Sequence, residues 1–174
     1  MERDYLLALL SAGEIPSRTM LHKLVYLLGR IRGEDLAFEA HFYGPYSASL
    51  QETLQGLVLG GLIDEERLTL EPWEPSPFDV VQFRYRLSAP GAAAAADLPA
   101  DLREQAQAIT DRAKRLGAWN QASLAVAGKM LHIRELNPSS NLEDIPALAR
   151  EFGWRVTGED VQRGFRLLGD LGLA

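Results

Sequence analysis

From Met20 to Ile63, apolar residues recur at helical spacing twice, and a Gly44-Pro45 corner separates the two runs. In the first run Met20, Leu21, Leu24, Val25, Leu28 and Ile31 line one face, after Ile15-Pro16 and a candidate N-cap at Ser17. Arg18, His22, Tyr26 and Arg30 fall four apart on another face, so the spacing predicts a half-buried helix with a polar stripe. The second run puts Leu50, Leu54, Leu57 and Val58 inward, starts at a capping Ser47 and stops at Gly60-Gly61. Between the runs, Phe38 to Tyr43 reads as a short extended segment. Gly44 tolerates unusual backbone angles there and Pro45 fixes its own φ, which makes the pair a turn.

Past Ile63, Leu68 and Leu70 alternate with Arg67, Thr69 and Glu71, and Val81, Phe83, Tyr85 and Leu87 alternate with Gln82, Arg84 and Arg86. Pro72, Pro75 and Pro77 lie between them, so the pattern predicts a hairpin with a long, stiff tip. Helix, helix and hairpin, joined through Gly61-Leu62-Ile63, is the layout of a winged-helix domain whose wing is the hairpin. The fold class expected is therefore mainly α (α+β). A winged-helix-like N-terminal domain spans residues 1–90, and a helical domain spans 91–174, either separate or packed on the first as one unit.

Tyr5 to Leu10 reads as a short helix at the start of the first domain. Ala89 to Asp97, with Pro90, Gly91 and five consecutive alanines, reads as a connector or as a backward extension of the next helix. Beyond it Leu102, Ala106, Ile109, Ala113 and Leu116 mark a core-facing helix, and a second one runs from about Asn120 to Leu136 with Leu124, Ala127, Met130 and Leu131 inward. Two further helices are expected, with Ile145, Leu148 and Phe152 inward in one and Val161, Phe165 and Leu168 in the other. Thr157 and Asp160 have the spacing of a capping box for the last.

Composition narrows the function classes. The chain has 174 residues, 47% of them hydrophobic and 24% charged, enough for a proper core and unlike a disordered composition. Cysteine is absent, which excludes disulfides, thiolate zinc sites and cysteine nucleophiles. The Tyr5 to Leu10 run is too short for a membrane span and lacks the basic flank of a secretory signal, so a cytoplasmic protein without membrane attachment is expected. A net charge of −6 opposes non-specific attraction to nucleic acid. No P-loop, G-x-S-x-G or G-x-G-x-x-G motif occurs, and no cofactor is expected. His22, His41 and His132 stand in no metal-binding arrangement, so a metal would have to be gathered from distant elements with carboxylates such as Glu39, and none is expected.

Leu21-His-Lys-Leu-Val-Tyr26, the Phe38 to Tyr46 segment with its Tyr-Gly-Pro turn, Gly61-Leu62-Ile63 and Gly153-Trp154 together carry a resemblance to a known group. The chain resembles the SocA/Panacea antitoxin-like domains and the related YwgA-like bacterial proteins. The resemblance to the Panacea relatives implies a non-catalytic bacterial antitoxin or adaptor whose protein partner is a toxin or a protease component, and the YwgA-like branch carries no role over. The chain departs from that pattern where a tryptophan common before the Tyr-Gly-Pro turn is replaced by His41 and Phe42.

The expected partner-binding surface comprises Lys23, Tyr26, Tyr43, Pro45 and Tyr46, because tyrosine offers apolar area with a polar tip and is enriched at binding hot spots. Two blander readings stand beside it: Phe42 and Tyr43 alternate across a strand so that one fills the core, and His22 and Lys23 lie on a solvated helix face. The alternative function is a dimeric winged-helix DNA-binding transcription regulator that sets Arg84 and Arg86 on phosphate. The second helix weighs against it, offering Ser47, Ser49, Gln51, Glu52 and Gln55 with no Lys or Arg. In the opposing reading Arg84 and Arg86 pair with Glu71 or Glu74 across a solvated strand face. No catalytic residue is assigned, and a homodimer is left open.

Overall fold

The computed structural model describes residues 1–70 and 80–174. Its first half contains α1 (Glu2–Ser11), α2 (Arg18–Ile31), α3 (Ala48–Leu59) and the strands β1 (Ile63–Leu70) and β2 (Val80–Leu87). Its second half contains α4 (Ala89–Ala96), α5 (Ala100–Arg115), α6 (Gln121–Leu136), a 3-10 turn (Leu142–Asp144), α7 (Ile145–Glu151) and α8 (Gly158–Asp170). The protein is thus mainly helical with one small antiparallel sheet, as the sequence pattern predicts.

Every residue from Tyr5 to Leu10 is buried. A helix apolar on all sides has to be surrounded, and α1 is, touching α2, α3, α4, α5 and β2. The strands pair antiparallel with Ile63 opposite Leu87 and Glu66 opposite Arg84. Ile15 adds a short rung to the sheet by exchanging both backbone hydrogen bonds with Tyr85, at 3.0 and 2.9 Å. Helix, rung, helix, helix and hairpin is the winged-helix layout. The proline-rich tip, Glu71 and Glu74 lie outside the described residues.

The alanine-rich segment is a helix, capped by Ser88, whose hydroxyl accepts from the Gly91 amide at 3.1 Å. Gly91 rests on the backbone of Leu62, so α4 is pinned to the start of the hairpin and is no free connector. One apolar core runs from Tyr5 through Ile109 and Leu131 to Leu171. Its second half is organised by α6, which packs on α2 and on α8.

Leu116, expected inward at the end of α5, is exposed at its C-cap, and two faces differ from the sequence expectation. Helix α2 has no solvated stripe along its middle, since every residue from Met20 to Gly29 is buried, His22 and Lys23 included. The reason is three-dimensional: α6 covers one side and the connector 32–47 folds back over another. In α8 the buried line is Val161, Gly164, Leu167 and Leu168, and Phe165 stays exposed. Gly164 faces Val126 and Met130 of α6 without a side chain of its own, and this close approach turns the phenyl ring outward.

Candidate functional site

The connector 32–47 is held at several points, and each contact follows from a particular residue. Gly44 adopts φ +101°, a region that side chains rarely enter. Glu39 and Tyr46 exchange backbone hydrogen bonds of 2.9 Å on either side of the turn. The Trp154 indole N–H donates to the His41 carbonyl at 2.6 Å, and the Lys23 ammonium donates to the Pro45 carbonyl. Phe42 and Tyr43 ride on this anchored turn in edge-to-face contact, centroids 4.9 Å apart, and are 72% and 54% exposed. Neither ring fills the core, so the strand-like alternation expected for them is replaced by a turn that shows both to solvent.

Beneath Tyr43 lies a cavity of about 150 Å³ lined by Arg18, Thr19, His22, Lys23, His41 and the two tyrosines Tyr43 and Tyr46. The first turn of α2 supplies Arg18 and Thr19, and the next turn supplies His22 and Lys23. Tyr46 stacks flat on His22, with ring centroids 4.8 Å apart and planes 4° from parallel. His22 is 2% exposed; its Nε2 lies 3.3 Å from the Gln51 side-chain oxygen while its Nδ1 has no hydrogen-bond partner. Arg18 is steered along the rim, donating to the Tyr85 hydroxyl at 2.9 Å and lying 4.3 Å from the centre of the Phe83 ring.

Lys23 reaches its position through a slot flanked by two glycines. A Cβ on Gly44 would come within 3.1 Å of Lys23 Cε, and one on Gly128 of α6 within 3.1 Å of Lys23 Cδ. The lysine is 2% exposed, and no carboxylate lines the cavity. Burial, reinforced by the nearby Lys129 ammonium, brings the Lys23 pKa down to about 7. Burial and then the Lys23 charge bring His22 down to about 4, so its imidazole is neutral at pH 7.

The five residues expected to form a partner surface divide. Tyr43 is exposed and Tyr46 half-buried, but Lys23, Tyr26 and Pro45 are inside the molecule and cannot touch a partner directly. Tyr26 instead ties α2 to α6: its hydroxyl donates to Glu135 at 2.7 Å, and Glu135 also holds Arg30. Burial, followed by the Glu135 hydrogen bond, raises the Tyr26 pKa. Lys23 and Pro45 join each other and support the turn from below. Phe42 is the exposed binding candidate missing from that set, and His22 and His41 are the missing pocket residues. Phe42 and His41 neighbour the Gly-Pro turn and His22 neighbours Lys23 in the sequence, and neither proximity says which side chains turn inward.

The wing arginines have partners. Arg84 lies 3.1 Å from Glu14 and 3.6 Å from Glu66, and Arg86 lies 3.3 Å from Asp64, largely the cross-strand neighbours that the register imposes. No protein-family model and no curated protein matches the chain. Elsewhere, an open groove of about 510 Å³ beside α4 and α5 is lined by alanines with Arg103 and Glu104, and it holds no buried titratable side chain. Among the described residues no three of His, Asp and Glu gather to hold a metal ion, and no helix is long and apolar enough to cross a membrane.

Proposed function

We propose that the protein is a non-catalytic, protein-binding regulator of the antitoxin or adaptor type, acting in the cytoplasm, and that it docks through the Phe42–Tyr43 turn. The observation that carries this reading is a pair of solvent-facing aromatic rings on a backbone already tied down by Trp154, Lys23 and the Glu39–Tyr46 rung. Large aromatic side chains on a preorganised support bind with little loss of conformational freedom, which is how hot spots are built. The motif resemblance at Leu21 to Tyr46 supports a toxin or protease component as the partner. DNA binding has less support, because the charge of Arg84 and Arg86 is offset by Glu14, Glu66 and Asp64, and the exposed face of α3 carries Glu52.

The test is affinity purification from the native cell with wild type and with the Phe42→Ala/Tyr43→Ala double variant, each checked for an unchanged circular dichroism spectrum. We expect one or more proteins to co-purify with wild type and to fall at least tenfold with the variant, in line with hot-spot truncations of about 2 kcal/mol. Undiminished recovery with the folded variant sinks the docking surface. Salt-sensitive binding to duplex DNA that is lost in Arg84→Ala/Arg86→Ala would favour the transcription-regulator reading instead.

A further inference from the structure

We infer that the cavity beneath Tyr43 is a binding site for a small oxyanion, a short carboxylate or a phosphate, with its charge against Lys23. The cavity has the charge for this. Arg18, Lys23 and two histidines face it, no carboxylate lines it, and it sits on the first turns of α2, whose backbone N–H groups and dipole favour negative charge. Arg18 is partly engaged, lying 3.4 Å from Glu65, so the cation without a counter-charge is Lys23.

Lys23 has unused hydrogen-bonding capacity. An ammonium carries three donors, and only the Pro45 carbonyl accepts from this one among the described residues. A buried cation without an anion is costly to keep, and three separate features of the chain keep it: Gly44, Gly128 and Pro45 shape the slot that holds it. An anion entering the cavity supplies the missing charge.

Arg18 and His41 add to the polar wall of the cavity, and His22 lines it through its ring, its Nδ1 being closed off by burial. The volume agrees, since about 150 Å³ is roughly five times the share of one water and about half of the smallest drug-sized pockets. Tyr46, flat on His22, and Tyr43 then flank the short carbon chain or ester of the ligand.

The test uses the full chain at pH 6 and constant ionic strength, where the Lys23 ammonium is charged. Sodium glycolate, sodium acetate and inorganic phosphate are titrated separately while the side-chain NMR signals of His22 and Lys23 and the melting temperature are followed. Expected is a saturable shift of both signals with a rise in melting temperature for at least one of the three probes. Acetate or glycolate without phosphate identifies a carboxylate, phosphate alone a phosphate group, and either result supports the site. Lys23→Met is expected to weaken binding by tenfold or more while the chain stays folded. The inference is overturned if no probe saturates or if a folded Lys23→Met variant binds undiminished. Because the wild-type signals report on the site by themselves, the result stands even if the variant fails to fold.

Discussion

Lys23 shows at the scale of one residue how burial converts chemistry into a measurable property. An unfolded lysine titrates near 10.4, and the folded Lys23 near 7. Between those values the unfolded chain binds the extra proton, so the Lys23 contribution to stability rises with pH from about 7 to about 10, and its full penalty is present below 7. Lys23→Met removes that penalty. In urea unfolding, the stability difference between variant and wild type should therefore move in favour of the variant by at least about 2 kcal/mol between pH 10 and pH 6. A difference that stays flat over that range would mean that Lys23 is solvated and neither pays nor relieves a burial cost. The motif around Lys23 was legible in the sequence, but its burial was not, because Gly128 and Lys129 lie on α6, far along the chain.

At the scale of elements, local signals in the sequence were reliable where the deciding contact is also local. The caps at Ser17, Ser47 and Thr157 each accept the backbone N–H three residues on, a geometry that a few neighbouring residues dictate. On the buried face of α8 periodicity favours the apolar Phe165, whereas the spacing of α8 against α6 favours Gly164. Glycines separate the two kinds of determinant cleanly. A Cβ on Gly91 would overlap the Leu62 carbonyl oxygen, so Gly91→Ala should destabilise by about 3 kcal/mol, since backbone cannot yield as a flexible side chain does. Gly56, in the middle of α3 with open space around it, should behave in the opposite way, Gly56→Ala stabilising by about 0.5–1 kcal/mol through helix propensity. Thermal or urea unfolding of the two variants measures both signs.

At the scale of the whole molecule, the winged-helix-like half and the helical half share one core. Leu6, Leu7, Leu9 and Leu10 are all fully or almost fully buried, and α4 and α5 supply part of their cover. A fragment of residues 1–90 would expose that surface together with the side of α2 that α6 covers, including the Tyr26 hydroxyl bound to Glu135. Such a fragment should lack a cooperative unfolding transition and dispersed amide NMR signals; a folded monomeric fragment would show that the core divides after all. The sequence by itself determined the helices, their caps, the Gly-Pro turn and the hairpin, because hydrogen bonds and steric limits over a few residues decide each of them. Only the tertiary structure decided that Lys23 and His22 are interior, that Phe42 faces water and that a cationic cavity lies between them. Burial is conferred by whatever packs against a side chain, and here α6, Trp154 and the folded-back connector do the packing.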